Sequence, residues 1–476
     1  MAENSSAEQV DKVSLRVVVL KEKNKVLFAE AGKDFVDVLL SFLSLPLGTI
    51  AKLVAKDSNI ESVKFGSISS LYQSVSDLDT QYLWSHTCKE MLLNPNNSAE
   101  AYCWNMKLNI DNTESLKSYY LCENVSCLSV DHKYCLSYFR NQKCICGKPL
   151  NREKSRILSK EIGFVKEMST FIISDDLYVM PNVVTASLNL LQKLGVNDID
   201  AIDKQTVSIN ITKKEVVDLL KLSLVSKTPL SDFIFKKEHF VEDLVLSNQL
   251  EVNIGKEKEE SDEMVVKVLR RKSNKQILFV EAEEDFADFV FSFLTFPLGA
   301  VLHTRQGFSF VSCIDNLYKS VTELSSDKCL RSQLFKDILT SPTISAQSEL
   351  RHQILPIPKN NYKEKNTSYK FIDPKSPISG GYAGASLTFM VTDELVVTPM
   401  SSIDGISYLE RMKVSLNDVE EMVLNIGQKE GLGILRASLT SKSALTNGLN
   451  QFIGSRSVQA NLSSNARPLK KPKVEK

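Results

Sequence analysis

Residues 26–49 read VLFAEAGKDFVDVLLSFLSLPLGT, and from Ile277 the chain reads ILFVEAEEDFADFVFSFLTFPLGA. Roughly half of these positions are identical without a gap, including Leu27/Leu278, Glu30/Glu281, Asp34/Asp285, Phe35/Phe286 and Asp37/Asp288. Pro46-Leu47-Gly48 likewise matches Pro297-Leu298-Gly299. Agreement of this kind marks an internal duplication, so whatever one copy folds into the other must also be able to form. The echo keeps its order along the chain: LYQSV at Leu71 answers LYKSV at Leu317, FIISDDLYVMP at Phe171 answers FMVTDELVVTP at Phe389, and KEVVDLLKLSLVSKTPL at Lys214 answers KEGLGILRASLTSKSAL at Lys429.

A chain of 476 residues exceeds the roughly 250 to 300 residues at which single cores stop growing. The duplication divides it into two tandem homologous domains of α+β class, at residues 13–245 and 264–455. The polar leader 1–12 and the basic tail 456–476 read as disordered ends, and 246–263, with its charged GKEKEESDE, as a solvated linker. The 58 basic and 58 acidic residues balance, which removes any global electrostatic pull toward nucleic acid or an anionic membrane.

Within a copy, SLRVVVLKEKNKVLFAE places two β-branched runs around a polar break, the pattern of a hairpin. Phe35, Val38, Leu39, Phe42 and Leu43 then recur at helical spacing and predict a helix lying on that hairpin. Pro46-Leu47-Gly48 is expected to end it, with Gly48 taking a left-handed turn. TFIIS-DD-LYVMP reads as strand, turn, strand, VVTASLNLLQKL as a helix, and QTVSIN as a closing strand. Thr212 and Glu215 form a capping box at the start of a further helix.

Five of the nine cysteines fall between Cys122 and Cys146. The N-terminal MAENSSAEQVDKVSLRVVVL lacks a basic segment followed by an apolar run, so no secretory signal is read and a reducing compartment is expected. Thiols there serve as metal ligands or stay free more readily than they form disulfides. Cys122 and Cys127, with four residues between them, and Cys144-Ile145-Cys146-Gly147-Lys148 supply the two short-spaced pairs that structural zinc takes as four tetrahedral sulfur ligands. The predicted ligands are Cys122, Cys127, Cys144 and Cys146, in a zinc-ribbon-like insert at about 119–152, and Gly147 is expected to let backbone amides face the sulfurs. Cys135 and His132 are reserve ligands, with Cys127, Cys135, Cys144 and Cys146 the alternative set. Copy two lacks all of these cysteines and must close the same gap by other means.

Other constellations are weaker. Asp34, Asp37, Asp285 and Asp288 recur and would be the acids of an inter-domain catalytic site, but they also fit acidic first helical turns. Asp175-Asp176 and Asp393-Glu394 sit at polar breaks where turn chemistry favours them. GGYAGAS, Gly380 to Ser386, matches no phosphate-loop pattern. None of the five histidines recurs in both copies, and G-x-S-x-G is absent, which argues against nucleophilic triads. Lys133, Arg140, Lys143, Lys148 and Arg152 would allow weak phosphate contacts by the insert. The terminal RPLKKPKVEK resembles a short nuclear-import signal, so the expected location is cytoplasmic with a route to the nucleus.

VLFAEAGKDFVDVLLSFLSLPLGT, CICGKPLNRE, FIISDDLYVMP and LLKLSLVSKTPL together resemble the plant proteins grouped as domain of unknown function 674, over nearly the whole chain and in two copies. The resemblance implies a plant protein without an established activity, and the cysteine pieces match that family's pattern in copy one alone. The expectation is a two-domain protein that works by binding a protein partner, with one structural zinc, no membrane and no catalytic residues.

Overall fold

The computed structural model describes residues 13–20, 24–56, 60–110, 118–129, 132–155, 162–196, 202–203, 209–236, 263–304, 312–359 and 369–453. The leader 1–12, the linker apart from Glu263, and the basic tail 456–476 lie outside them, as does most of the QTVSIN segment. No helix among the described residues is long and apolar enough to cross a membrane.

The chain is α+β. Repeat one opens with β1 (Val13–Leu20) and β2 (Lys25–Gly32), paired antiparallel as the hairpin pattern predicts. The Cys-rich segment supplies β3 (Tyr119–Cys122), β4 (Tyr134–Ser137), β5 (Gln142–Lys143) and β6 (Pro149–Lys154). Then come β7 (Thr170–Ser174), β8 (Val179–Pro181), β9 (Ile202–Asp203) and β10 (Ile209–Ile211). Repeat two carries β11 (Met264–Arg271), β12 (Ile277–Ala282), β13 (Tyr369–Phe371), β14 (Phe389–Thr392), β15 (Val397–Pro399) and β16 (Val419–Ile426).

Three sheets result. Repeat one forms the order β10-β1-β2-β7-β8, with β9 also on β1, and repeat two the equivalent β15-β14-β12-β11-β16. Alternation explains how each hairpin faces its core: Val13, Leu15 and Val17 are buried on β1, and Met264, Val266 and Val268 on β11. The third sheet, β13-β4-β3-β6-β5, is the Cys-rich module.

The helix over Lys33–Ser41 is more buried than an amphipathic stripe requires, since every residue from Phe35 to Ser41 is inside. The reason is that its outer face meets the other repeat. Buried residues of both copies belong to one continuous hydrophobic core. At its centre the two Pro-Leu-Gly turns face each other: Leu47 N donates to Phe296 O, and Leu298 N to Leu45 O, both at 2.9 Å.

Here the structure corrects the reading of Gly48. Pro46 caps a new right-handed helix, Leu47–Val54, and Gly48 lies inside it rather than in a left-handed turn. What it supplies is space, since a Cβ on Gly48 would sit 2.9 Å from Leu294 O, and one on Gly299 would sit 2.4 Å from Leu339 O and 2.9 Å from Leu43 O. Gly299→Ala is therefore expected to destabilise the chain by about 1–3 kcal/mol through overpacking against backbone that cannot move aside. Urea unfolding measures this, and a loss no larger than that of Gly32→Ala, whose Cβ meets nothing within 4 Å, would refute it.

Helices are also exchanged. The LYQSV helix, Gly66–Asp77, packs on the repeat-two helix Gln428–Thr440, and Gly66, at φ +48°, would place a Cβ 2.3 Å from Ser438 O. Val397 N of β15 donates to Ser74 Oγ at 3.2 Å. The mirror contact is Val179 N of β8 to Ser320 Oγ of the LYKSV helix, at 2.8 Å. Each repeat thus lends a helix to the other's sheet.

Candidate metal centre

The Cys-rich module is built from two turns closing on one another. In the first, Cys127 N donates to Asn124 O at 3.0 Å and tightens the loop that follows β3. In the second, Gly147 N donates to Cys144 O at 2.8 Å and Cys144 N to Lys148 O at 2.9 Å. Gly147 has φ +83°, a conformation that glycine adopts without the Cβ penalty of other residues. The turn aims the Lys148 amide at the Cys146 sulfur.

The Sγ atoms of Cys122, Cys127, Cys144 and Cys146 all lie within 4.8 Å of one another. Cys122 and Cys146 are 3.5 Å apart, and Cys127 and Cys144 3.6 Å. With Zn–S near 2.3 Å, the edge of a tetrahedral sulfur cage is about 3.8 Å. The donor set therefore fits a thiophilic metal ion in charge, number and spacing.

Four thiols this close cannot all ionise without a cation. Negative charge gathers on exposed Cys146, brought down to about 7 by the Lys148 amide and by hydrogen bonds from Cys127 and Cys122. Burial, with the contact to Cys146, pushes Cys122 up to about 12. The bond to Cys146 and burial push Cys127 up to about 11. A bound cation would stabilise all four as thiolates.

Of the reserve ligands, Cys135 is buried in the same small apolar cluster but does not belong to the four-sulfur group. His132 is exposed in a turn at φ +55°, away from that group. Arg140, Lys143, Lys148 and Arg152 are exposed around the module, and Lys133 is half-buried.

Repeat two closes its corresponding gap in a way that sequence reasoning missed. Its cysteine-free segment adds β13 in parallel to β4, with Tyr369 opposite Tyr134 and Phe371 opposite Leu136. Gln347 accepts from Tyr138 N at 2.9 Å and donates to Ser137 Oγ at 3.1 Å, and the rings of Tyr138 and Phe371 stack at 4.8 Å. The module is thus bound to both repeats. A short YKF run carries too little periodicity to reveal this pairing in advance.

The recurring acids are placed differently from one another. Asp37 and Asp288 are not macrodipole partners at the surface but buried acceptors. Asp37 Oδ1 accepts from Phe164 N at 2.6 Å and Val165 N at 2.9 Å, and its Oδ2 takes Lys33 Nζ at 2.6 Å. Asp288 Oδ1 accepts from Tyr382 N and Ala383 N at 2.6 and 2.7 Å. The glycine-rich loop does cradle an anion, and the anion is the chain's own Asp288. Asp34 pairs with Lys107, and Asp285 accepts from Phe286 N. Asp175 and Asp393 hold Ser231 and Thr446 through matching amide and hydroxyl bonds of 2.7–2.8 Å. Both buried pairs are occupied in holding segments distant in sequence.

No curated protein and no solved structure matches the chain. The family described as Protein of unknown function (DUF674) matches residues 9–429, a span that takes in the duplicated hairpins, the cysteine turns and both buried aspartate pairs, and the chain belongs to that family.

Proposed function

We propose that Cys122, Cys127, Cys144 and Cys146 hold one structural zinc ion, and that the protein acts by binding a protein partner rather than by catalysis. The observation that carries the metal reading is the convergence of four sulfurs within 4.8 Å. Bound zinc would cross-link the two turns, and four thiolates complete its tetrahedron without an open position for a substrate or water. The binding role is supported by how the recurring buried acids are used: Asp37, Asp288, Asp175 and Asp393 all accept from backbone amides. What the two repeats share is a way of building a rigid, intertwined body on which surfaces can be presented. Metal analysis of chain purified without chelator or affinity nickel tests the reading, with about one zinc per folded chain expected. A folded chain without zinc would refute it.

A further inference from the structure

Cys146 is exposed, and the other eight cysteines are buried. Its sulfur lies 3.5 Å from that of buried Cys122, while Cys127 and Cys144 contact each other at 3.6 Å. Of the four, Cys146 is thus the residue that solvent reaches most, and its sulfur has a resolving partner beside it. Among the described residues the turn is open beside it, since a Cβ built on Gly147 would meet nothing within 4 Å.

We propose that the Cys-rich module is a peroxide-sensitive clamp, in which oxidation joins Cys122 to Cys146, expels the metal and loosens the module's hold on repeat two. The inference rests on the zinc reading above. The Cys146 thiolate attacks one peroxide oxygen, the O–O bond breaks, and sulfenic acid forms with release of hydroxide. The Cys122 thiolate then attacks the Cys146 sulfur and displaces a second hydroxide. Two thiolates have lost two electrons, one hydrogen peroxide has become two hydroxides, and a disulfide has formed. Only Cys127 and Cys144 then remain as sulfur ligands, and zinc leaves.

The consequence reaches beyond the module because repeat two completes its sheet. The β4–β13 pairing, the Gln347 bonds to Ser137 and Tyr138, and the Tyr138–Phe371 stack all depend on the position of β4. Without the metal, β4 is backed by a cluster of five buried residues, four of them cysteine. Oxidation would free an aromatic surface that the reduced protein keeps occupied.

The test uses the full chain, with zinc counted before treatment. Hydrogen peroxide is added, zinc release is followed with a chromogenic chelator, and the cysteines are mapped by mass spectrometry. Release of about one zinc per chain, together with a Cys122–Cys146 linked peptide and reversal by dithiothreitol plus zinc, is expected. Cys146→His keeps a fourth ligand without the exposed sulfur, and should release zinc about tenfold more slowly. A zinc-holding chain that keeps its metal, loses it without that disulfide, or releases it as fast with histidine at 146 overturns the clamp. A chain with no zinc before treatment overturns the zinc reading instead.

Discussion

Replacing Cys144 by serine is expected to release the metal and melt the Cys-rich sheet, while the core shared by the two repeats stays folded. A serine hydroxyl is a poor substitute for a thiolate, so the substitution removes most of what the site contributes. Structural zinc sites contribute about 10–16 kcal/mol of apparent binding energy to folding. Around the sulfurs the module's own buried apolar cluster is small, being Cys122, Cys127, Cys135, Cys144 and Leu150, with Tyr120 and Ile372 packed against it. The central core, by contrast, draws on both repeats and includes none of those residues. Unfolding should therefore split into an early phase seen by the tyrosines of the module and a later phase seen by backbone circular dichroism. Cys135→Ser is the informative comparison, because Cys135 is equally buried yet outside the four-sulfur group. It should keep its zinc. If it loses zinc as completely as Cys144→Ser, or if the latter keeps a full equivalent, the ligand set is different from the one proposed.

What was legible in the sequence was local or repeated. The β1–β2 hairpin, the helix after it and the Thr212–Glu215 capping box each express themselves within a short continuous stretch of chain. The box forms with Thr212 N donating to Glu215 Oε2 at 2.8 Å. The gathering of four sulfurs within 4.8 Å was legible because their cysteines lie in two short-spaced pairs. What was not legible depends on contacts between distant segments. Asp37 meets Phe164 across 127 positions, and Ser74 meets Val397 across 323. A repeat announces that two copies have the same fold, but not that they exchange helices, because the exchanged helix makes the same kind of contacts in either copy. The reading of Gly48 failed for a related reason: a glycine after proline suggests a turn locally, while the need for it lies in a carbonyl of the other repeat, Leu294 O.

The second large effect is at Asp288, and it separates the need for the carboxylate's oxygen from the need for its charge. Asp288 is buried, and burial lifts it to about 7 against the opposing pull of the Ala383 and Tyr382 amides. Lys33, which pairs with Asp37 in repeat one, is replaced here by Glu284, so the cation that pairs with the carboxylate in repeat one has no counterpart at this position. An unfolded aspartate titrates near 3.9. Between about pH 4 and pH 7 the folded chain consequently binds more protons than the unfolded one, and stability falls as pH rises through that window before levelling off. The penalty for keeping Asp288 ionised above pH 7 is on the order of 4 kcal/mol. Asp288→Asn retains an oxygen for both amides and cannot ionise. It should therefore gain stability over the parent chain progressively from pH 4 to pH 7, as read from urea midpoints. Asp288→Ala removes the acceptor and orphans two buried amides, each costing about 1–3 kcal/mol, so it should be less stable than Asp288→Asn at every pH and less stable than the parent chain at pH 4, where the parent bears no ionisation penalty. Equal losses for Asn and Ala at pH 8 would show that the charge itself holds the two amides, and would overturn the reading of Asp288 as a clamp that needs only its oxygen.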